Sequence, residues 1–494
     1  MMRKSIRMTG TALATAAFFS MTGAAQAETL REALAKAYQT NPTLNAARAG
    51  QRATDENVPL ALSQGRPNVG VTGTYTEELH REPGQLGVIT QPKRSATGSA
   101  NADVPIYQGG IVRNSIRAAK KSVEAGQEDL RGTESSIFAA VVAAYLDVIR
   151  DSAIVQFNQQ NVSALQVNLQ ASSDRFEVGD LTRTDVAQSD SRLALAQADL
   201  QAAEARLISS KENYIALVGS APVNLEAPPA LPGMPETPQT AVQVALQDNP
   251  DILGARYQRE AAHYDTNSAK GQIAPRLSAF ANGTYLDYLG SESDLNPVVG
   301  SSIAGSTKSA SVGVQLTIPI YQGGRPGALT RQAKARENQA LEVEIATERN
   351  VIAQTRSAYA SWQASLQAIE STKKAVSSGE LSLEGVRAEN TAGTRTILDI
   401  LDSQRDLLNA QVQYVTAQRN AYVAGFSLLA AMGHAEARDL GLDGGPLYDP
   451  NINYKQVHGK LFDFDFGPKI EVKSTTTSDV PAQNAVPMTD VNNN

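Results

Sequence analysis

The sequence predicts a mainly α-helical protein with a smaller β part, built twice over from one plan. Three observations carry this. A seven-residue motif recurs 214 positions apart, very long stretches repeat apolar residues every seven positions, and four short segments alternate apolar and polar residues.

The duplication comes first because it organises the rest. Val104-Pro-Ile-Tyr-Gln-Gly-Gly110 returns as Ile318-Pro-Ile-Tyr-Gln-Gly-Gly324, and the same shift of 214 carries Tyr145 onto Tyr359, Gly179 onto Gly393, Asp185 onto Asp399 and Gly219 onto Gly433. Upstream, Asn41-Pro42 maps onto Asn249-Pro250 and Pro67 onto Pro275 at a shift of 208. A register kept over so long a span marks a tandem repeat. The expected divisions are a signal segment at 1–27, a first repeat at 28–219, a connector at 220–240, a second repeat at 241–433 and a C-terminal segment at 434–494. The connector holds six prolines and reads as irregular. The end of the chain, after about Gly467, is rich in Thr, Asn and Pro and reads as a disordered tail.

In the signal segment, Arg3, Lys4 and Arg7 precede an apolar, alanine-rich stretch that closes on Ala25-Gln26-Ala27. Without it the charge is 41 basic against 51 acidic residues, −10, with no Lys/Arg stripe to suggest nucleic acid. The chain has no cysteine, which excludes disulfides, thiolate metal sites and thiol catalysis. Its four histidines are isolated in sequence. No phosphate-binding glycine loop, nucleophile elbow or ligand-spaced His/Asp/Glu cluster occurs, so neither an enzyme, a cofactor nor a resident metal is expected. After the signal no run of about 20 apolar residues follows, so no spanning helix is expected.

Each repeat opens with a moderate helix, at 28–63 and 240–271, and then changes period. Ala310, Val312, Val314, Leu316, Ile318 and Ile320 face one way from 309–320, while Ser309, Ser311, Gln315 and Thr317 face the other. Segment 96–106 alternates likewise, and 68–77 and 275–288 more weakly, which gives four strands in two hairpins. Their length suits a tilted transmembrane strand. A soluble hairpin packed on the helices is the other reading, disfavoured by the long polar loops at 81–94 and 291–307.

The long helices follow. Ile116, Val123, Leu130 and Ile137 are spaced by seven, as are Val141, Val148, Val155, Val162, Leu169 and Phe176, and then Val186, Leu193, Leu200, Leu207 and Tyr214 beyond Gly179. The second repeat mirrors them with Ile345, Ile352, Tyr359 and Leu366, interleaved with Trp362, Ile369, Val376 and Leu383. Beyond Gly393 it continues with Leu401, Leu408, Val415, Tyr422 and Leu429. Such heptads indicate coiled-coil packing. The Ala, Ser, Gln and Asn between them suit a thin wall with one wet side. Four strands cannot close a membrane barrel and an open edge in lipid is untenable, so if the strands are transmembrane, copies of the chain must pool them; three would give twelve.

The duplicated halves, the Pro-Ile-Tyr-Gln-Gly-Gly motif and the segment Gly393-Thr-Arg-Thr-Ile-Leu-Asp-Ile-Leu-Asp402 resemble the TolC family of outer-membrane efflux proteins, over nearly all of 28–450. The resemblance implies a homotrimer in the outer membrane, with a twelve-stranded barrel and a helical tunnel closed at its periplasmic tip. It also implies a periplasmic adaptor (membrane fusion) protein and an inner-membrane transporter as partners, with proteins (type I secretion) or small toxic molecules as cargo.

The tips lie near Gly179 and Gly393. Asp399 and Asp402, three apart, share a face of the helix starting near Thr396, where spacing alone favours carboxylates that complement a helix dipole. The resemblance instead makes them acidic rings around the axis, which favour cations. It further assigns Arg395 to the gate with Thr184 and Asp185 as partners, against the plainer reading of a solvated turn residue. Where the family commonly has a second gate tyrosine, this chain has Asn390. Trp362 reads as packing. Tyr107 and Tyr321 fit a membrane interface, though a strand-to-helix turn explains the adjoining glycines equally well. The competing function class is a secreted or periplasmic structural coiled coil without a pore.

Overall fold

The computed structural model describes residues 27–80, 92–292, 295, 304–442, 447–469 and 471–488. The expected signal segment and most of both hairpin loops lie outside them. The first repeat runs α1 (Leu30–Thr40), α2 (Pro42–Asp55), α3 (Asn57–Ser63), β1 (Asn68–Glu77), β2 (Arg94–Gln108), α4 (Ile111–Glu177) and α5 (Arg183–Val218). The second runs α6 (Pro238–Asp248), α7 (Pro250–Lys270), β3 (Arg276–Asp287), β4 (Ser306–Thr317), α8 (Arg325–Thr391) and α9 (Ile397–Met432), and α10 (Pro450–Val457) follows.

The two copies keep the same dimensions: α4 and α8 are 67 residues each, α5 and α9 are 36 each. At 1.5 Å per residue α4 and α8 each extend on the order of 100 Å. The expected opening helices are broken at the repeated Asn-Pro. Asn41 and Asn249 are extended residues whose side chains cap α2 and α7, and Pro occupies the first helical position after each. Their amide groups also donate to the carbonyls of Leu217 and Ala431, equivalent positions near the ends of α5 and α9, both at 2.9 Å.

The strands form one antiparallel sheet in the order β1-β2-β3-β4, with β1 and β4 at its edges. Directly paired residues share a face. One face carries Val69, Ala102, Ala281 and Val312 in one row, Val71, Ala100, Gly283 and Ala310 in the next, and Ala279 with Val314 and Val104 beyond. The other face carries rows of Gly70, Asn101, Asn282 and Ser311, and of Thr72, Ser99, Thr284 and Ser309. The apolar face is open: Val71, Val312 and Val314 are 81%, 84% and 69% exposed.

The main core lies midway along the helices. It joins Leu34 and Leu44 to Phe138, Val141, Tyr145 and Val148 of α4, Leu207 and Tyr214 of α5, and Phe426 and Leu429 of α9. Tyr145 donates its hydroxyl to the carbonyls of Glu28 and Glu226, at 2.8 and 2.7 Å, and its repeat Tyr359 donates to the carbonyl of Glu236 at 2.7 Å. Each tyrosine thus ties one end of the proline-rich connector to a long helix. Trp362 packs edge-on to Tyr359 in a second cluster with Ala241, Leu428 and Met432, as its heptad position indicated. Helix α7 lies between α4 and α8, with Glu260 paired to Lys121 and Arg259 to Glu344.

The halves differ in burial despite their equal lengths. Twenty residues of α4 are buried, but on α8 only Pro326, Val351, Thr355 and Leu383 are. The α8 heptad residues Ile345 and Leu366 are 36% and 38% exposed within one protomer.

The C-terminal segment departs from the expected disorder. Asn45 donates to Ser474, the buried Lys211 donates to the carbonyls of Asn484 and Val486 at 3.0 and 2.8 Å, and the Met488 amide donates to Ser152 at 2.6 Å. Its order comes from hydrogen bonds to α2, α4 and α5, which composition cannot reveal.

Candidate functional site

The far ends of the two helical hairpins are built alike. After α4, Gly179 has φ +85°; its amide donates to the Phe176 carbonyl and that of Asp180 to the Arg175 carbonyl. After α8, Gly393 has φ +79° and donates to Asn390, while Thr394 donates to Glu389. Both are Schellman closures, which need a residue free to adopt left-handed backbone. The next helix starts three residues on with a reciprocal cap. Thr182 and Asp185 exchange side-chain and backbone bonds at the head of α5, and Thr396 and Asp399 do the same at the head of α9. The carboxylate-to-backbone distance is 2.9 Å in both.

These caps set the charge state of the tip. The Asp399 carboxyl is held below its ordinary range by the Thr396 hydroxyl and backbone amide, with Arg395 adding to it. Asp185 is lowered likewise, first by the Thr182 backbone amide and then by its hydroxyl. The cap bonds to Asp399 use Oδ2, while Oδ1 lies 3.7 Å from Arg395. Arg395 is engaged inside its own turn, with Nε 2.8 Å from Glu389. Thr184 and Asp185, the partners assigned to it by resemblance, lie on the other hairpin's tip, where Thr184 is exposed and Asp185 is occupied as a cap. Asn390 donates to the Arg395 carbonyl at 2.7 Å, which braces the turn from within.

Asp402 does something different. Its Oδ1 accepts from Arg192 Nη2 of α5 at 2.9 Å and lies 3.9 Å from Arg405. Asn168 of α4 donates to Gln404 at 3.0 Å. Beneath these bonds Leu401, 2% exposed, inserts among Val162, Leu165, Leu193 and Ala196. Near its tip the second hairpin is thus clasped to the first by one apolar plug and two polar links. The sequence singled out Asp402 as a ring carboxylate, not as a partner of α5, and did not single out Arg192, Asn168 or Gln404. The available signal was position: Arg192 directly precedes the seam residue Leu193, where charged residues flanking a coiled-coil seam reach across to a neighbouring helix.

Comparison with known proteins places this geometry. The model of the outer membrane efflux protein family matches residues 33–220 and 241–434, the two repeats in turn. The outer membrane efflux protein BepC of Brucella suis biovar 1 (strain 1330) is 34% identical over 440 residues, covering 89% of this chain and 92% of BepC. The outer membrane protein TolC of Escherichia coli (strain K12) is 25% identical over 428 residues, 84% of each chain. Among solved structures, the Campylobacter jejuni CmeC outer membrane channel superposes with a TM-score of 0.72 at 16% identity, over 89% of this chain and 90% of that one, and so shares the fold.

Proposed function

This chain belongs to the outer membrane efflux protein family, and on that premise we propose that three copies assemble into an exit duct for an inner-membrane transporter. The observation that carries this reading is the sheet. It has one apolar and one polar face and ends in two strand edges, β1 and β4. Such a sheet is suited to lipid on one side and water on the other only when its edges are closed by other copies. Twelve strands would form the barrel, and α4, α5, α8 and α9 of each copy would continue it as a periplasmic tunnel.

At the tunnel's end, Asp399 and Asp402 of three protomers would ring the axis, and Arg395 would meet Thr184 and Asp185 of a neighbour. Adaptor contact at the turns of Gly179 and Gly393 would loosen that closure. Cargo passes without chemistry, driven by the transporter, and is protein or a small toxic molecule. The test is single-channel conductance in planar bilayers, wild type against Asp399→Ala/Asp402→Ala. A small cation-selective conductance, blocked by multivalent cations from the periplasmic side and released from block in the variant, is expected. Equal block in both proteins would remove these aspartates from the gate, and no channel from a folded trimer would return the chain to a structural coiled coil.

A further inference from the structure

Between α10 and the C-terminal strap lies Leu461-Phe-Asp-Phe-Asp-Phe-Gly467. Leu461, Phe462, Phe464 and Phe466 are 67%, 83%, 89% and 88% exposed. A run this apolar held in water calls for an occupant.

The path of the chain shows where the run is delivered. From the core, α10 climbs along α2 and α4: Asn453 donates to Asp55 at 2.7 Å, and Tyr454 packs on the Val58, Ala119 and Val123 cluster. Arg66 then donates to the Lys460 carbonyl at 2.6 Å. Arg66 stands just before β1, so Lys460 is fixed at the foot of the sheet. After the phenylalanines the chain returns to Asn45 and then to Lys211. The excursion leads out to the sheet's foot and back again.

The loop has its own scaffold. Asp465 accepts from the Gly467 amide at 3.1 Å and pairs with Lys460 at 2.9 Å, so one of its two acidic residues is satisfied within the loop. The same end of the sheet bears Tyr107, Ile320 and Tyr321, which are 53%, 96% and 85% exposed. It is also the end where β1 begins and β4 stops, as the pairings of Asn68 with Asp103 and of Arg276 with Gln108 and Thr317 show. Lys460, Lys469 and Lys473 are balanced by Asp463, Asp465 and Glu471, so the stretch has no net charge and its exposed phenylalanines, beside the aromatic end of the sheet, are what suits it to a bilayer interface.

We propose that Leu461–Phe466 is an interfacial anchor that seats its phenylalanines in the periplasmic leaflet of the outer membrane, at the base of the barrel. The proposal rests on the barrel reading above. Trp362 is the single tryptophan, so a Trp362→Phe background leaves room for a reporter. The full chain carrying Phe464→Trp is reconstituted into phosphatidylethanolamine/phosphatidylglycerol vesicles containing brominated lipids. Val314→Trp on β4 serves as the reference. The expected result is a blue-shifted Phe464→Trp emission, quenched more by bromines near the glycerol backbone than by bromines near the chain ends. Water-like, unquenched emission with the β4 reporter still quenched overturns the anchor and leaves the barrel standing. A blue-shifted but unquenched signal overturns it in favour of cover by a neighbouring protomer. No quenching at either position removes barrel insertion and the anchor with it.

Discussion

Reversing one charge at the clasp should open the tip. Arg192 and Asp402 join α5 to α9 at 2.9 Å, with side chains 31% and 43% exposed. Two unit charges about 4 Å apart attract by roughly 1–4 kcal/mol between the dielectric limits of water and a protein surface. With this much solvent contact the net value falls to about 0.5 kcal/mol per protomer. Three equivalent links would then hold the closed tip by about 1.5 kcal/mol, roughly tenfold in the equilibrium. Arg192→Ala removes that attraction, whereas Arg192→Glu replaces it with a repulsion of similar size and should shift the balance roughly a hundredfold. The assay is open-channel probability in planar bilayers, with thermal stability of the trimer measured alongside. Asp402→Arg placed on Arg192→Glu should restore closure. The clasp would be excluded by an Arg192→Glu channel with unchanged closed conductance, or by a reciprocal swap of normal stability that fails to restore closure. Cation block separates the clasp from the acidic ring: Arg192→Ala keeps Asp402 and should keep block, whereas Asp402→Ala loses both.

Three further outcomes are expected. Gly393→Ala forces a side chain into left-handed backbone at φ +79°, at about 1–2 kcal/mol, so hydrogen exchange at the tip amides should accelerate roughly 5- to 30-fold. The Asp185 and Asp399 carboxyls are both lowered in the folded protein. Their caps therefore contribute fully above the unfolded value of about 3.9 and are lost only as pH falls through the lower folded values. Tip exchange rates should accordingly stay flat from neutral pH down to about 4 once corrected for intrinsic chemistry, and a loss of protection near pH 5 would contradict this. Lys211→Met abolishes the donor to the Asn484 and Val486 carbonyls, so trypsin should cut after Lys473 faster than in the wild type while the long helices stay resistant.

Much of the fold was legible because its signals are local and repeated. Heptads such as Val141, Val148, Val155 and Val162 report a buried seam directly, and all four are buried. Alternation in 309–320 gave β4 to within three residues at either end. The tip turns could be placed from Gly179 and Gly393, since left-handed closure restricts the residue type. What escaped depended on contacts distant in sequence. The interruption of the opening helices follows from Asn-Pro chemistry, but its anchoring to Leu217 and Ala431 spans 176 and 182 residues. The order of the C-terminal strap depends on Lys211, whose partners are 273 and 275 residues away. The partner of Arg192, Asp402, is 210 residues away on α9.

The α8 seam shows a different kind of limit. Its heptads were as readable as those of α4, yet Ile345 and Leu366 remain more than a third exposed while Val148 and Val155 of α4 have no exposure at all. A seven-residue period records that a helix was selected to pack, and says nothing about which chain supplies the partner. On α4 the partner is present, in α5, α7 and α9. On α8 the seam is half-buried for most of its length and open at Ile345 and Leu366, on the copy that also carries the edge strand β4. The open positions of the α8 seam and the edge of β4 lie in the same half of the chain, and one adjoining protomer, offering its own β1 edge, could cover both. Shared closure of this kind makes the barrel and the tunnel a single assembly problem: a substitution that weakens the α8 seam should loosen strand closure as well.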